Sequence, residues 1–105
     1  MSIAIQEKTS SAILARGEEG KQVMKFEGNW YFEPAAINRT LLVTTERTYT
    51  CPMKGTCNWV DFVAPDGRTV KDVAWVYPKT KAGYEQIAGR FAFYAGTKGG
   101  TKQAD

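Results

Sequence analysis

Within six residues, Thr50-Cys51-Pro52-Met53-Lys54-Gly55 brings together a thiol, a rigid turn, an ammonium group and a flexible backbone. Arg47 lies four residues before Cys51 and Lys54 three after it, so a bend here puts two cations within reach of the sulfur and favours its thiolate. The same cations, with the amides around Gly55, would draw an anion. The alternative is that Cys51 is a small buried hydrophobe and Lys54 a solvated turn residue. A second constellation, Trp75-Val76-Tyr77-Pro78, offers flat groups that can wall a pocket or stack on a ring, and that can equally fill a core.

What the sequence lacks narrows the chemistry further. It has no histidine, which removes the commonest general base, the commonest metal ligand and the usual partner of a nucleophilic Ser or Cys. Two cysteines, Cys51 and Cys57, fall short of a four-ligand zinc site, so no metal and no cofactor is expected. A disulfide between them requires a tight turn and an oxidising compartment, and the thiols are expected to stay reduced. The net charge is +3, with 14 basic and 11 acidic side chains. The excess falls in the second half, where Lys54, Lys71, Lys79, Lys81, Arg90, Lys98 and Lys102 are scattered rather than gathered in a stripe, which disfavours a nucleic-acid partner.

These groups have to be positioned by one domain, because 105 residues leave no room for a second core. No apolar run approaches the ~18 residues of a membrane span, and Glu7 and Lys8 interrupt the start before a signal peptide could form. The expectation is a cytoplasmic protein with no membrane partner.

Strands are expected at 3–7, 11–16, 22–26, 30–32, 40–44, 47–51, 59–63, 69–77 and 91–95, with a helical turn at 35–38. Pro65-Asp66-Gly67 predicts a hairpin joining 59–63 to 69–77. In its second arm Val73, Trp75 and Tyr77 alternate with Ala74 and Val76, so both faces are expected to be covered. In the run Trp30-Tyr31-Phe32, alternation leaves one ring exposed unless the strand is covered on both faces. Tyr84, Ile87 and Ala88 have helical spacing between Thr80 and Gly89, which predicts one short helix near residues 81–88. The fold class is mainly β: an antiparallel β sandwich or open barrel over residues 1–95, with 96–105 a flexible C-terminal tail.

Glu27-Gly28-Asn29-Trp30-Tyr31-Phe32, the Thr50 to Gly55 block, Ala74-Trp75-Val76-Tyr77-Pro78 and Ile87-Ala88-Gly89-Arg90-Phe91-Ala92-Phe93-Tyr94 resemble, in that order, the bacterial and fungal family known as domain of unknown function 427. The resemblance spans roughly residues 10–95. It implies a small, mainly β, single-domain protein, and it carries a nucleotidyltransferase-like label. Nucleotidyl transfer generally needs metal ions held by convergent carboxylates, yet this chain has no Asp-x-Asp and no P-loop spacing. Trp30 stands where a His is common in that family.

Three functions compete. In the first, Arg47, Cys51, Lys54, Gly55, Trp75 and Tyr77 line a pocket for a small anionic or nucleotide-like ligand. In the second, Cys51 is also the catalytic nucleophile or redox thiol, activated by Lys54 or Arg47. In the third, the same residues are the core of a protein-interaction or structural module. Homo-oligomerisation is left open.

Overall fold

The structure is a computed structural model and describes residues 1–104. Ten strands account for most of the chain: β1 (Ser2–Glu7), β2 (Ile13–Glu18), β3 (Val23–Phe26), β4 (Asn29–Phe32), β5 (Leu42–Cys51), β6 (Gly55–Val63), β7 (Thr69–Val76), β8 (Phe91–Tyr94), β9 (Thr97–Lys98) and β10 (Thr101–Ala104). They form two sheets, of order β2-β1-β10-β9 and β3-β4-β8-β7-β6-β5. Every ladder between these strands is antiparallel. The fold is a mainly β, two-sheet sandwich with no closed barrel among the described residues.

Side-chain alternation explains why two sheets suffice. Ile3, Ile5 and Leu14 of the smaller sheet pack against Trp30, Phe32, Val60, Phe62, Ala74, Val76, Phe91 and Phe93 of the larger one, forming the core between the sheets. The intervening positions, Tyr31, Cys57, Trp75 and Ala92, face the other side of the larger sheet and build a second cluster with Tyr77 and Ile87. Trp30, Tyr31 and Phe32 are therefore all buried, because β4 is covered on both faces. Val73 departs from the expected alternation and joins the inter-sheet core with Ala74 and Val76. A register shift between Val60 and Phe62, with Asp72 in the left-handed region at φ 59°, turns it inward.

The predicted hairpin is present. Val63 pairs with Thr69 and Phe62 with Val70, and the turn is held by Gly67 N–H to the Ala64 carbonyl and Arg68 N–H to Asp66 Oδ1 (both 2.9 Å). Strands expected separately at 40–44 and 47–51 are the single strand β5, which passes Trp59 through an irregularity at 45–47. The first helical turn is a 3-10 turn at Pro34–Ala36.

Two expectations are corrected. The helix near 81–88 is one 3-10 turn, Glu85–Ile87, because a single turn already buries Ile87 and brings Tyr84 edge-on to Phe26, and Gly83 sits in the left-handed region just before it. The tail is not frayed over 97–104: β10 pairs with β1, Thr101 is fully buried, and Trp30 Nε1 donates to Gln103 Oε1 at 3.0 Å. Gly100 serves close approach, since a Cβ there would lie 2.6 Å from Val70 Cγ1. Asp105, part of that expected tail, lies outside the described residues.

One buried charge ties the sheets. Glu7 is 1% exposed, accepts from Arg68 Nη2 at 2.8 Å and from the amides of Thr9 and Ser10 at 2.9 Å. Burial pushes its pKa up, but these donors outweigh it and hold it at about 2. Among the described residues, no helix is long and apolar enough to cross a membrane.

Candidate functional site

The second apolar cluster does not close over completely, and the gap is a cavity of about 170 Å³. Six aromatic side chains line it: Tyr31 of β4, Tyr49 of β5, Trp59 of β6, Trp75 of β7, Tyr94 of β8, and Tyr77 just beyond β7. Trp75 meets Tyr31 and Trp59 edge to face, with ring centroids 6.3 and 6.1 Å apart, and Tyr94 at a tilt, 4.8 Å away. Glu27, Asn29, Lys54 and Cys57 complete the lining.

Lys54 comes from the loop between β5 and β6. Its ammonium lies 2.6 Å from the Glu27 carboxylate, 3.7 Å from Cys51 Sγ and 5.8 Å from the Tyr84 ring. The hydrogen bond to Glu27 is the main reason its pKa is raised. Glu27 reaches it from the turn between β3 and β4, where Glu27 and Gly28 both have positive φ (51° and 83°), as the tightest hairpin turns require. Two hairpin ends thus meet at the cavity.

The thiols differ. The Lys54 amide first and the Met53 amide second hydrogen-bond the Cys51 sulfur, and with the Lys54 charge they hold its pKa below the ordinary thiol value against the cost of desolvation. Burial pushes the Cys57 thiol up. The same desolvation raises Tyr31, and raises Tyr77 strongly. Both cysteines are free thiols.

Of the residues singled out from sequence, Lys54, Trp75 and Tyr77 line the cavity together. Cys51 touches that lining through Lys54 without joining it, and Gly55 pairs with Cys51 at the start of β6. Arg47 is elsewhere. Its guanidinium donates to Asp61 and, at 2.8 Å, to Asp72, whose own amide donates to Asp61 at 3.0 Å. The two acids pair it away from the cavity, where it clasps the β5 irregularity to the β7 bulge.

Tyr31, Tyr49, Trp59, Tyr94, Cys57, Asn29 and Glu27 escaped the sequence reading. Alternation within the predicted hairpin could have put Trp59 with Trp75, which face each other in register. Tyr31 and Tyr94 enter only through the β4-β8-β7 pairings, which no local spacing announces.

Among the described residues, no three His, Cys, Asp or Glu side chains converge on a point where a metal ion could sit. A comparison with curated proteins finds no match. A family model matches residues 5–103, nearly the whole described structure and with it every residue of the cavity. The chain belongs to the family described as a domain of unknown function (DUF427).

Proposed function

We propose that the aromatic cavity binds a small ligand with a flat, ring-sized portion and an acidic group, the ring lying among Trp75, Tyr77 and their neighbours and the acid meeting Lys54. The observation that carries this reading is the convergence of six aromatic side chains and one ammonium group on a single cavity. Its volume, about 170 Å³, sets the scale. A cavity of roughly 150 Å³ accepts a benzene-sized guest, whereas drug-sized ligands occupy roughly 300–1,000 Å³. A nucleotide would therefore place its base inside and its sugar and phosphate outside, within reach of Lys54.

A thermal-shift panel of nucleotides, nucleobases and aromatic carboxylates tests this. A ligand raises Tm in proportion to ln(1 + [L]/Kd). At least one ring-bearing acid should raise Tm in the wild type and lose that effect in Lys54→Ala. Equal shifts in both proteins would remove Lys54 from the site, and a flat response across the panel would leave the cavity as a packing feature of a structural module.

A second reading, a cysteine-dependent enzyme, draws on the 3.7 Å approach of Lys54 to Cys51. Metal-dependent nucleotidyl transfer draws on less, because Glu27 is the one acidic side chain in the lining and it is already paired with Lys54.

A further inference from the structure

Cys51 and Cys57 belong to one hairpin and one face of it. In the β5–β6 register Cys51 opposes Gly55 and Tyr49 opposes Cys57, so the cysteines are diagonal neighbours separated by a residue without a side chain. Both pack in the apolar cluster on the outer face of the larger sheet. They are chemically unequal. Cys51 is half-buried, with two loop amides and the Lys54 ammonium at its sulfur. Cys57 is 1% exposed and lines the cavity.

We propose that Cys51 and Cys57 form a reversible redox pair that reduces a small hydroperoxide, Cys51 being the sulfur oxidised first and Cys57 the sulfur that resolves it. The Cys51 thiolate attacks the hydroxyl oxygen of the peroxide, the O–O bond breaks, and hydroxide or alkoxide leaves, to be protonated to water or alcohol; Cys51 is now a sulfenic acid. The Cys57 sulfur then attacks the Cys51 sulfur, the S–O bond breaks, water leaves with the Cys57 proton, and the S–S bond forms. Two electrons pass from the two thiols to the peroxide. Lys54 and the loop amides put positive charge at the attacking sulfur, which favours its thiolate. A small oxidant suits a sulfur tucked under its own loop, whereas a protein disulfide would need in-line access to it.

Diagonal neighbours sit with Cα atoms about 7–8 Å apart, at the edge of what a disulfide spans without backbone movement. The bridge therefore draws the hairpin end inward by about an ångström and is left strained, hence easily reduced. The segment that moves, Pro52 to Lys54, is the one carrying the cavity's cation. The pair needs no ligand in the cavity and stands or falls separately from the proposed binding function.

The test uses reduced full-length protein and one equivalent of hydrogen peroxide. Intact mass should fall by two hydrogens and recover with a dithiol. A non-reducing tryptic digest should link the peptide of residues 48–54 to that of residues 55–68, which separates this product from oxygen addition at exposed Met53. Cys57→Ser should instead hold one added oxygen on Cys51, captured by a 1,3-dione. Cys51→Ser, at the half-buried position, should leave Cys57 a free thiol at the same dose. Oxygen addition at Cys51 without linkage in the wild type, a disulfide only between two molecules, or an inert Cys51 would each overturn the pair.

Discussion

The Lys54 ammonium and the Glu27 carboxylate meet at 2.6 Å beside the aromatic cavity, with Lys54 16% exposed and Glu27 48% exposed. An ion pair with one partner this open is worth at most about 1 kcal/mol. A charge-assisted hydrogen bond from a well-placed ligand is worth about 1.5–3 kcal/mol. An anion in the proposed site would compete with Glu27 for Lys54. Lys54→Ala should weaken an acidic ligand by about 1.5–3 kcal/mol while changing stability by no more than about 1 kcal/mol, read by isothermal titration and urea denaturation. Glu27→Gln, which leaves Lys54 uncontested, should tighten the same ligand.

Trp75 is the hub of the cavity wall, in contact with Tyr31, Trp59 and Tyr94. Trp75→Ala should cost about 3–5 kcal/mol of stability. A loss under about 1 kcal/mol, within the range of ordinary surface changes, would mean that the outer face contributes little to the fold.

Arg47→Ala should destabilise by about 1–3 kcal/mol, because nearly buried Asp61 loses its charged donor. Ligand affinity should not change, since Arg47 is held away from the cavity by Asp61 and Asp72. A weaker ligand in this variant would return Arg47 to the binding site.

Iodoacetamide should label Cys51 before Cys57. Cys51 is half-buried with its thiolate favoured, whereas Cys57 is enclosed with its thiol favoured. Peptide-resolved mass spectrometry over time measures the order, and equal slow labelling would place both sulfurs in inert surroundings.

Glu7 should dominate acid unfolding. Its pKa is about 2 in the fold against 4.5 ordinarily, so its contribution is complete above pH 4.5 and is lost as pH falls toward 2. Glu7→Gln should flatten the stability profile across that window, followed by chemical denaturation at each pH.

The β class and the hairpin through Pro65-Asp66-Gly67 were legible because each rests on local chemistry, alternation in one case and turn residues in the other. Lys54, Trp75 and Tyr77 were legible as a group because they fall at strand ends, where loops gather. Arg47 was misplaced because sequence distance to Cys51 says nothing of Asp61 and Asp72, which reach it only through β6 and β7. The helix failed on length: Tyr84, Ile87 and Ala88 satisfy helical spacing, yet one 3-10 turn between Gly83 and Gly89 buries what needs burying. The glycines of 96–100 suggested fraying, and nothing local reveals that Val70 and Val73 leave space for only a hydrogen at Gly100.

The pairing of β1 with β10 also fixes an order of events. These strands are neighbours at the middle of the smaller sheet although Glu7 and Thr101 are separated by almost the whole described chain. On a ribosome, residues 2–7 can pair early with β2, but their other edge stays open until residues 101–104 have followed. Closing so long a loop is slow relative to hairpin formation. The larger sheet, whose neighbours are mostly consecutive hairpins, can assemble beforehand and serve as the template on which the first and last strands finally meet.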